Sequence, residues 1–191
     1  ADDPAPLLRV AESAGCRRVM EFTMAMPVPL TIGYRTPGTL GVDRLAAAVG
    51  AATLAPSADL LIADIGTAAT YDVVTSDGCY LGGNIAPGIK IRLLGLHEHT
   101  SRLPRVDSRG ETPLFGFDTD TAMRAGAVRG VVAELLYYRS LGAVSPRRTF
   151  VSGGWGAEVM ELLPEGINDI EYNKYLVNQG LNSILLYNED K

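Results

Sequence analysis

The chain alternates between segments whose apolar residues recur with helical spacing and shorter segments that are apolar throughout. Apolar positions at i, i+3 and i+4 place one hydrophobic stripe on a helix, whereas short runs of β-branched and aromatic residues are typical of strands. The first pattern predicts helices at residues 5–15, from residue 43 onwards, and at 89–100, 119–140, 156–163 and 175–187.

The strand pattern is clearest in the middle of the chain, where three β-rich runs follow one another closely. A polar elbow at residues 64–67 separates the first two runs, and a tight turn at residues 76–78 joins the second to the third. These runs predict a β-meander. Residues 17–34 are also strand-like, but Pro27 and Pro29 break the pattern. Together with one later run, the predicted strands are residues 60–63, 69–74, 79–84 and 148–151. The order of elements indicates a mixed α/β fold.

Composition narrows the class of protein. The 191 residues have a formal net charge of −5, with 47% hydrophobic and 20% charged residues, as in ordinary globular proteins. No apolar run reaches the roughly 18 residues of a membrane-spanning helix, and the acidic balance disfavours non-specific binding of nucleic acid. Cys16 and Cys79 are too few for a disulfide framework. We therefore expect a reduced, cytoplasmic protein with neither a membrane nor a nucleic-acid partner.

The polar elbow Asp64-Ile65-Gly66-Thr67 is the first candidate site. Glycine lets an anion approach the backbone closely, and the Thr67 hydroxyl and successive backbone N–H groups are donors for phosphate oxygens. The Asp64 carboxylate is suited to hold a cation that offsets phosphate charge. A plain β-turn with a capping aspartate is the alternative, and local sequence leaves both open.

Gly41-Val42-Asp43-Arg44 is the second candidate. An aspartate at the start of a helix is commonly an N-cap, because its side chain accepts a hydrogen bond from a free backbone N–H. In the functional alternative, Asp43 is a general base and Arg44 is a cation that holds a carboxylate. Local sequence again leaves both interpretations open.

The third candidate is the segment at residues 152–156, Ser-Gly-Gly-Trp-Gly, which follows a predicted strand and precedes a helix. Such a turn suits backbone contact with a nucleotide. Phe150 stands where a serine-hydrolase elbow requires glycine, so a nucleophilic serine of that type is excluded.

Two further groups of polar residues carry weaker signals. His97 and His99 lie two apart on one predicted helix and therefore face different sides. With no cluster of carboxylates and histidines around them, we interpret them as surface or packing residues. The arginines of a basic loop form either a solvated face or an additional contact with an anionic ligand; they are Arg102, Arg105 and Arg109.

Taken together and in order, these motifs resemble the type III pantothenate kinase family, whose fold belongs to the superfamily of acetate and sugar kinases, Hsp70 and actin. The resemblance extends from about residue 28 to residue 188, and the motifs follow the family's order and approximate spacing. The matching stretches are PLTIGYRTPGTLGVDRLAAAVGAA, LLIADIGTAATYDVV, GCYLGGNIAPGIKIRLLGLHEHTSRLPRV, FGFDTDTAMRAGAVRG, TFVSGG and YLVNQGLNSILLYN.

The resemblance implies a role for each matched residue. Asp43 matches the family's proton acceptor and is the expected catalytic base. Asp64 matches the ligand of a monovalent cation, K⁺ or NH₄⁺, and ATP is expected to bind together with Mg²⁺. Ser152 stands where the family's nucleotide motif has threonine. The expected substrate-binding residues are Tyr34, Gly41, Val42, Asp43, Arg44 and Thr119, and the expected ATP-binding residues are Gly66, Thr67, Gly153 and Gly154.

The implied function is ATP-dependent phosphorylation of pantothenate to 4'-phosphopantothenate, the first step of coenzyme A biosynthesis. In this family the partner subunit of a dimer completes the substrate pocket, and Thr119 matches the residue involved. The helix predicted at 119–140 is apolar beyond one stripe. This pattern suits either a second surface supplied by a partner subunit or a central helix covered within one chain. We therefore expect a homodimer formed largely by this helix and the loop before it.

The resemblance also implies actin-like, ribonuclease H-like ATPase lobes. The family opens with a strand carrying D-x-G-N-T, the first phosphate-binding loop, and residues 1–33 contain no match to it. The first residue is not methionine. The expectation is therefore a truncated N-terminal lobe at residues 1–54 and a largely complete C-terminal lobe at residues 55–191.

Two other functions compete with this interpretation. A non-catalytic accessory or regulatory relative would suit the lack of D-x-G-N-T, whereas the presence of Asp43, Arg44 and Asp64 favours an enzyme. Another sugar or acetate kinase of the superfamily is disfavoured, because the G-x-D-R and D-I-G-T motifs occur together at this spacing.

Overall fold

The computed structural model describes residues 5–16, 19–141 and 147–189. Helices and strands alternate along most of this length, in the order that the hydrophobic pattern predicts. The helices are α1 (Ala5–Ser13), α2 (Val42–Leu54), α3 (Ile89–His99), α4 (Thr119–Ser140), α5 (Gly156–Glu161) and α6 (Leu176–Glu189). The strands are β1 (Thr31–Ile32), β2 (Asp59–Ile65), β3 (Ala68–Val74), β4 (Cys79–Pro87), β5 (Arg147–Ser152) and β6 (Ile170–Tyr172).

Among the described residues, the strands form one six-stranded sheet in the order β1-β4-β3-β2-β5-β6. β2, β3 and β4 pair antiparallel as the predicted meander, while β5 pairs parallel with both β2 and β6. The short β1 pairs parallel with β4 at the edge. The mixed α/β class is confirmed, and this architecture is consistent with the actin-like ATPase fold.

Helices cover both faces of the sheet. α3, α4 and α5 pack on the face formed by residues such as Leu61 and Ala63. α2 and α6 pack on the opposite face, against residues such as Leu60 and Ile62. Because successive side chains of β2 point to opposite faces and both faces are covered, this strand is almost continuously apolar.

α2 and α6 approach each other through two glycines. A Cβ at Gly180 would overlap the carbonyl of Ala46, and a Cβ at Gly50 would overlap the carbonyl of Leu176. The helix backbones are therefore in direct contact at these positions, where neither residue can carry a side chain. This contact fixes α2, whose first turn carries the second candidate motif.

The predicted elements differ from the structure in three places. β2 continues to Ile65, so the predicted elbow at residues 64–67 is wrong in its first half and the turn is confined to Gly66 and Thr67. β6 was not predicted. Within residues 17–34 the described strand is only β1, and residues 17 and 18 lie outside the described ranges.

Candidate active site

Two parallel strands carry predicted site residues to the same edge of the sheet. Asp64 in β2 is directly opposite Ser152 in β5, so the turn that follows β5 lies beside the end of β2. Gly153 has φ = 87°, and a Cβ there would lie 2.5 Å from both Asp64 Oδ1 and the Ile65 carbonyl oxygen. Only glycine fits this left-handed, crowded position without strain. The two predicted phosphate-binding segments are therefore packed against each other.

A third segment reaches the same place. The backbone N–H of Gly88, at the start of α3, donates to the Thr67 carbonyl at 3.0 Å. A Cβ at Gly88 would overlap the carbonyls of Gly66 and Thr67, so the two backbones touch. Thr67 itself is exposed. The turn at Gly66 and Thr67 is thus held from behind by α3, while its outer side is open to a ligand.

Asp64 lies in an environment that disfavours its charged form. Its side chain is half-buried, and burial, followed by the negative charges of Asp43 and Asp72, raises its pKa. The charge of Asp43 contributes to this rise, so the predicted base and the predicted cation ligand lie within electrostatic range of each other. A cation or a proton there would relieve the repulsion.

Asp43 lies in the first turn of α2 with an exposed side chain. The N-cap of this helix is Gly41, so the interpretation of Asp43 as an N-cap is wrong. Among the described residues, its Oδ1 accepts only from the N–H of the next residue, Arg44, at 2.9 Å. Asp43 and Val42 line a cavity of about 590 Å³ whose other walls are mainly apolar side chains of α6 and of residues 20–26.

Arg44 points the other way, into the protein. Its side chain is 6% exposed and forms an ion pair with Asp72, which is 1% exposed. Nε donates to Asp72 Oδ2 at 3.1 Å and Nη2 donates to Oδ1 at 2.5 Å. Burial alone would lower the pKa of Arg44, but the bonds and charge of Asp72 raise it overall, so the guanidinium stays charged.

Sequence reasoning missed Asp72 and its second partner, Tyr80. The Tyr80 hydroxyl donates to Asp72 Oδ1 at 2.6 Å, and Tyr80 is fully buried. Burial and this hydrogen bond raise the pKa of Tyr80, so it stays protonated and acts as a donor. The available signal was an aspartate within the β-rich run 69–74, because a charge in a buried strand requires a partner.

Tyr34 lies beside the same ion pair. Its ring centroid is 5.9 Å from Arg44 Cζ and 6.3 Å from the Tyr80 ring centroid. Gly82 makes room for this ring, because a Cβ there would lie 2.9 Å from Tyr34 Cδ2. The structure therefore places the predicted residues Tyr34 and Arg44 side by side, with Asp43 next to Arg44 in the first turn of α2.

Thr119 is placed elsewhere. It is the exposed first residue of α4, and α4 packs on the face of the sheet opposite to α2. Asp118 caps this helix, since its Oδ1 accepts from the Thr121 N–H at 2.8 Å and the Thr121 hydroxyl oxygen accepts from the Asp118 N–H at 3.2 Å. Within one chain, Thr119 does not join the group around Asp43.

The remaining candidates make local contacts. Arg109 stacks on Trp155 at 5.1 Å and pairs with Glu158 at 2.9 Å. His97 Nδ1 lies 2.8 Å from the carbonyl oxygen of Leu103. In the described part of the chain, no group of three or more histidine, cysteine, aspartate or glutamate residues is arranged to hold a metal ion. None of the described helices is both long and apolar enough to cross a membrane.

Comparison with known proteins identifies the family. A family model described as type III pantothenate kinase matches residues 7–138. The chain belongs to the type III pantothenate kinase family. It is 42% identical over 173 residues to the type III pantothenate kinase of Phocaeicola vulgatus, a match that covers 90% of this chain and 70% of that protein. The enzyme of Azobacteroides pseudotrichonymphae is 45% identical over 168 residues, covering 87% of this chain and 67% of the relative.

The predicted family and enzyme class, a pantothenate kinase, are confirmed by these relatives. A crystal structure of a Baf family protein from Campylobacter jejuni has a similar fold, with a TM-score of 0.61, and covers 85% of this chain and 70% of that one. At 23% identity, that likeness shows the fold alone. This likeness therefore does not support the alternative that the protein is a non-catalytic accessory or regulatory relative.

Proposed function

We propose that this protein transfers the γ-phosphoryl group of ATP to the primary hydroxyl of pantothenate, the first step of coenzyme A biosynthesis, with the residues of the cleft around Asp43 and Asp64. The close approach of Gly153 to Asp64 carries the assignment to this cleft, because it joins the two phosphate-binding segments of the sequence. The charge of Asp43 contributes to the raised pKa of Asp64, which supports placing the base near the phosphate turn. Family membership supports the choice of substrates.

Asp43 is the proposed general base. Its carboxylate is exposed and forms no ion pair with any of the described residues. A base must come within about 3 Å of the hydroxyl whose proton it accepts. The apolar cavity beside Asp43 suits the branched, methyl-rich part of pantothenate next to that hydroxyl. Positioning by this cavity accounts for much of the expected catalysis, as in other phosphoryl-transfer enzymes.

The proposed ATP site is built from backbone. Gly66, Thr67, Gly153 and Gly154 surround the edge where β2 and β5 end. The Gly66 N–H donates to the Ala68 carbonyl at 2.9 Å, so the proposed donors for phosphate oxygens are the N–H groups of Thr67, Gly153 and Gly154 and the Thr67 hydroxyl. Mg²⁺ would accompany ATP, in keeping with the lack of a protein cage for a divalent ion among the described residues.

The donor set near Asp64 fits a monovalent cation. Thr70 lies directly opposite Asp64 in the β2–β3 register, and its hydroxyl oxygen is buried with no hydrogen-bond partner in the structure. Two hard oxygen donors in an acidic cleft suit K⁺ or NH₄⁺. Asp64 and Thr70 would hold this ion, which would supply positive charge next to the ATP phosphates.

We further propose a homodimer. The outer face of α4 carries exposed Ala122, Gly126 and Tyr137, and the loop before it exposes Phe115 and Phe117 by 83% and 70%. Exposed aromatic residues beside small residues of a helix face form an apolar patch, and such patches are typical of an interface. Since Thr119 lies across the sheet from Asp43 of its own chain, a two-fold partner is the proposed source of the threonine in each site.

An ADP-release assay with and without pantothenate, in potassium and in sodium buffer, tests the proposal. ADP release that requires pantothenate and is faster in potassium agrees with it. ADP release that ignores pantothenate would contradict the substrate, and equal rates in the two buffers would contradict the cation site. The cytoplasmic location and the lobe boundary after residue 54 stay predictions. In the structure, α2, which precedes that boundary in the chain, packs on sheet residues that follow it.

A further inference from the structure

Asp72 holds more than one member of the candidate site at once. Its two oxygens accept from Nε and Nη2 of Arg44, and Oδ1 also accepts from the Tyr80 hydroxyl. The same guanidinium lies near the ring of Tyr34. One buried carboxylate therefore anchors Arg44 directly and contributes to the position of Tyr34.

An irregularity in the sheet makes this cluster possible. Asp72 pairs with Gly83 and Val73 with Gly82, but Val74 pairs with Tyr80, so Leu81 is an extra residue in β4. One extra residue reverses the face to which the preceding side chain points. The bulge thus turns Tyr80 onto the face that carries Asp72 and Val74, where α2 packs.

The two glycines after the bulge are also required. A Cβ at Gly83 would overlap Asp72 Oδ1, so the carboxylate sits directly against the backbone of β4. A Cβ at Gly82 would press on the Tyr34 ring, and Gly82 has φ = 116°. Neither position tolerates a side chain without moving Tyr34 or Asp72.

Anchoring Arg44 also determines the direction of Asp43. The two residues are neighbours in the first turn of α2 and point about 100° apart around the helix axis. The N-cap residue Gly41 has no side chain to hold this turn. With Arg44 fixed inward on Asp72, Asp43 is held outward at the cavity.

We infer that Asp72, supported by Tyr80, is a positioning residue that acts through Arg44 to orient the first turn of α2, and with it Asp43 and the substrate-binding group around Tyr34. This inference rests on the proposed function for its link to pantothenate. Its structural part concerns only the first turn of α2 and stands apart from any ligand. No contact between Asp72 and substrate is involved.

The test compares Asp72→Asn with Asp169→Asn in the full chain. Asp169 forms the same type of two-point pair with Arg139, whose Nε donates to Asp169 Oδ2 at 3.1 Å and whose Nη2 donates to Oδ1. That pair is at the surface between α4 and the start of β6. Both changes remove one negative charge from an arginine pair, but only the first affects the cluster around Arg44.

Two measurements are made on each variant. Native-state hydrogen exchange of residues 41–48 should accelerate in Asp72→Asn by about tenfold more than exchange in α4, whereas Asp169→Asn should leave residues 41–48 as they are in the wild type. Calorimetric titration with pantothenate should give a Kd about 10–100-fold higher for Asp72→Asn, the loss typical when the outer partner of a binding residue is removed. Asp169→Asn should bind pantothenate like the wild type.

Tyr80→Phe provides a second, milder variant in case Asp72→Asn does not fold. It keeps the ion pair and removes one hydrogen bond, so both effects should be smaller and in the same direction. Exchange that rises equally in α2 and α4 would overturn the inference, and so would unchanged pantothenate affinity in a protein whose wild type binds it. If the wild type binds no pantothenate while exchange still rises in α2 alone, the proposed function fails and the positioning role stands.

Discussion

Replacing Gly153 by alanine should destabilise the protein at the point where the two phosphate-binding segments meet. The new Cβ would lie 2.5 Å from Asp64 Oδ1, from the Ile65 carbonyl carbon and from the Ile65 carbonyl oxygen. Two of these three atoms belong to the main chain, which cannot rotate away. A non-glycine residue in the left-handed region costs about 1–3 kcal/mol, and overpacking costs about 1–3 kcal/mol more. Together they lower the free energy of unfolding by about 2–6 kcal/mol, or Tm by roughly 5–20 °C.

Gly154→Ala is the matched control, because its Cβ would meet nothing within 4 Å. At this exposed position the same substitution should change stability by less than about 1 kcal/mol. Urea denaturation of both variants, followed by circular dichroism, measures the difference. If Gly153→Ala and Gly154→Ala unfold within about 1 kcal/mol of each other, the close packing of Gly153 on Asp64 is refuted.

Three further predictions follow from the cleft and its supporting helices. Asp43→Asn should lower kcat by about 10²–10⁴-fold. Stability should change little, because within the described part of the chain this exposed side chain accepts only from its neighbour's N–H. Near-normal kcat in steady-state assays would contradict its role as base. Because the pKa of Asp64 is raised in the fold, the contribution of Asp64 to the free energy of unfolding is favourable at low pH. That contribution is lost as pH rises through the raised pKa. Asp64→Asn should therefore stabilise the protein at pH 7 but not at pH 3 in potassium-free urea titrations, and an equal effect at both pH values would contradict the raised pKa. Gly180→Ala should force α2 and α6 apart, because the new Cβ would overlap the Ala46 carbonyl. We expect a large loss of Tm. A Tm like that of the wild type would contradict the direct backbone contact.

Elements set by local pattern were predictable. The meander follows from three β-rich runs separated by short turns, and the start of α4 follows from Asp118 three residues before Thr121, the spacing of a capping box. β6 was missed because it has only three residues, two of them exposed, so it shows neither alternation nor an apolar run. Its place is set by parallel pairing with β5, which no local pattern encodes.

The sequence predicts members for the candidate site, but it does not predict the contacts among them. The motifs and the family resemblance identified Asp43, Arg44 and Asp64 from the sequence. The pairing of Arg44 with Asp72 joins residues 28 positions apart and depends on how α2 packs on β3. The position of Tyr80 depends on the bulge at Leu81, and a single extra residue in a strand leaves no distinctive mark in the hydrophobic pattern.

The most direct test of the central claim is mass-spectrometric detection of the product after incubation of the protein with ATP, Mg²⁺, K⁺ and pantothenate. The account predicts 4'-phosphopantothenate in amounts equal to the ADP formed, and product formation should fall by about 10²–10⁴-fold in Asp43→Asn. ADP without 4'-phosphopantothenate, or undiminished product from Asp43→Asn, would contradict it.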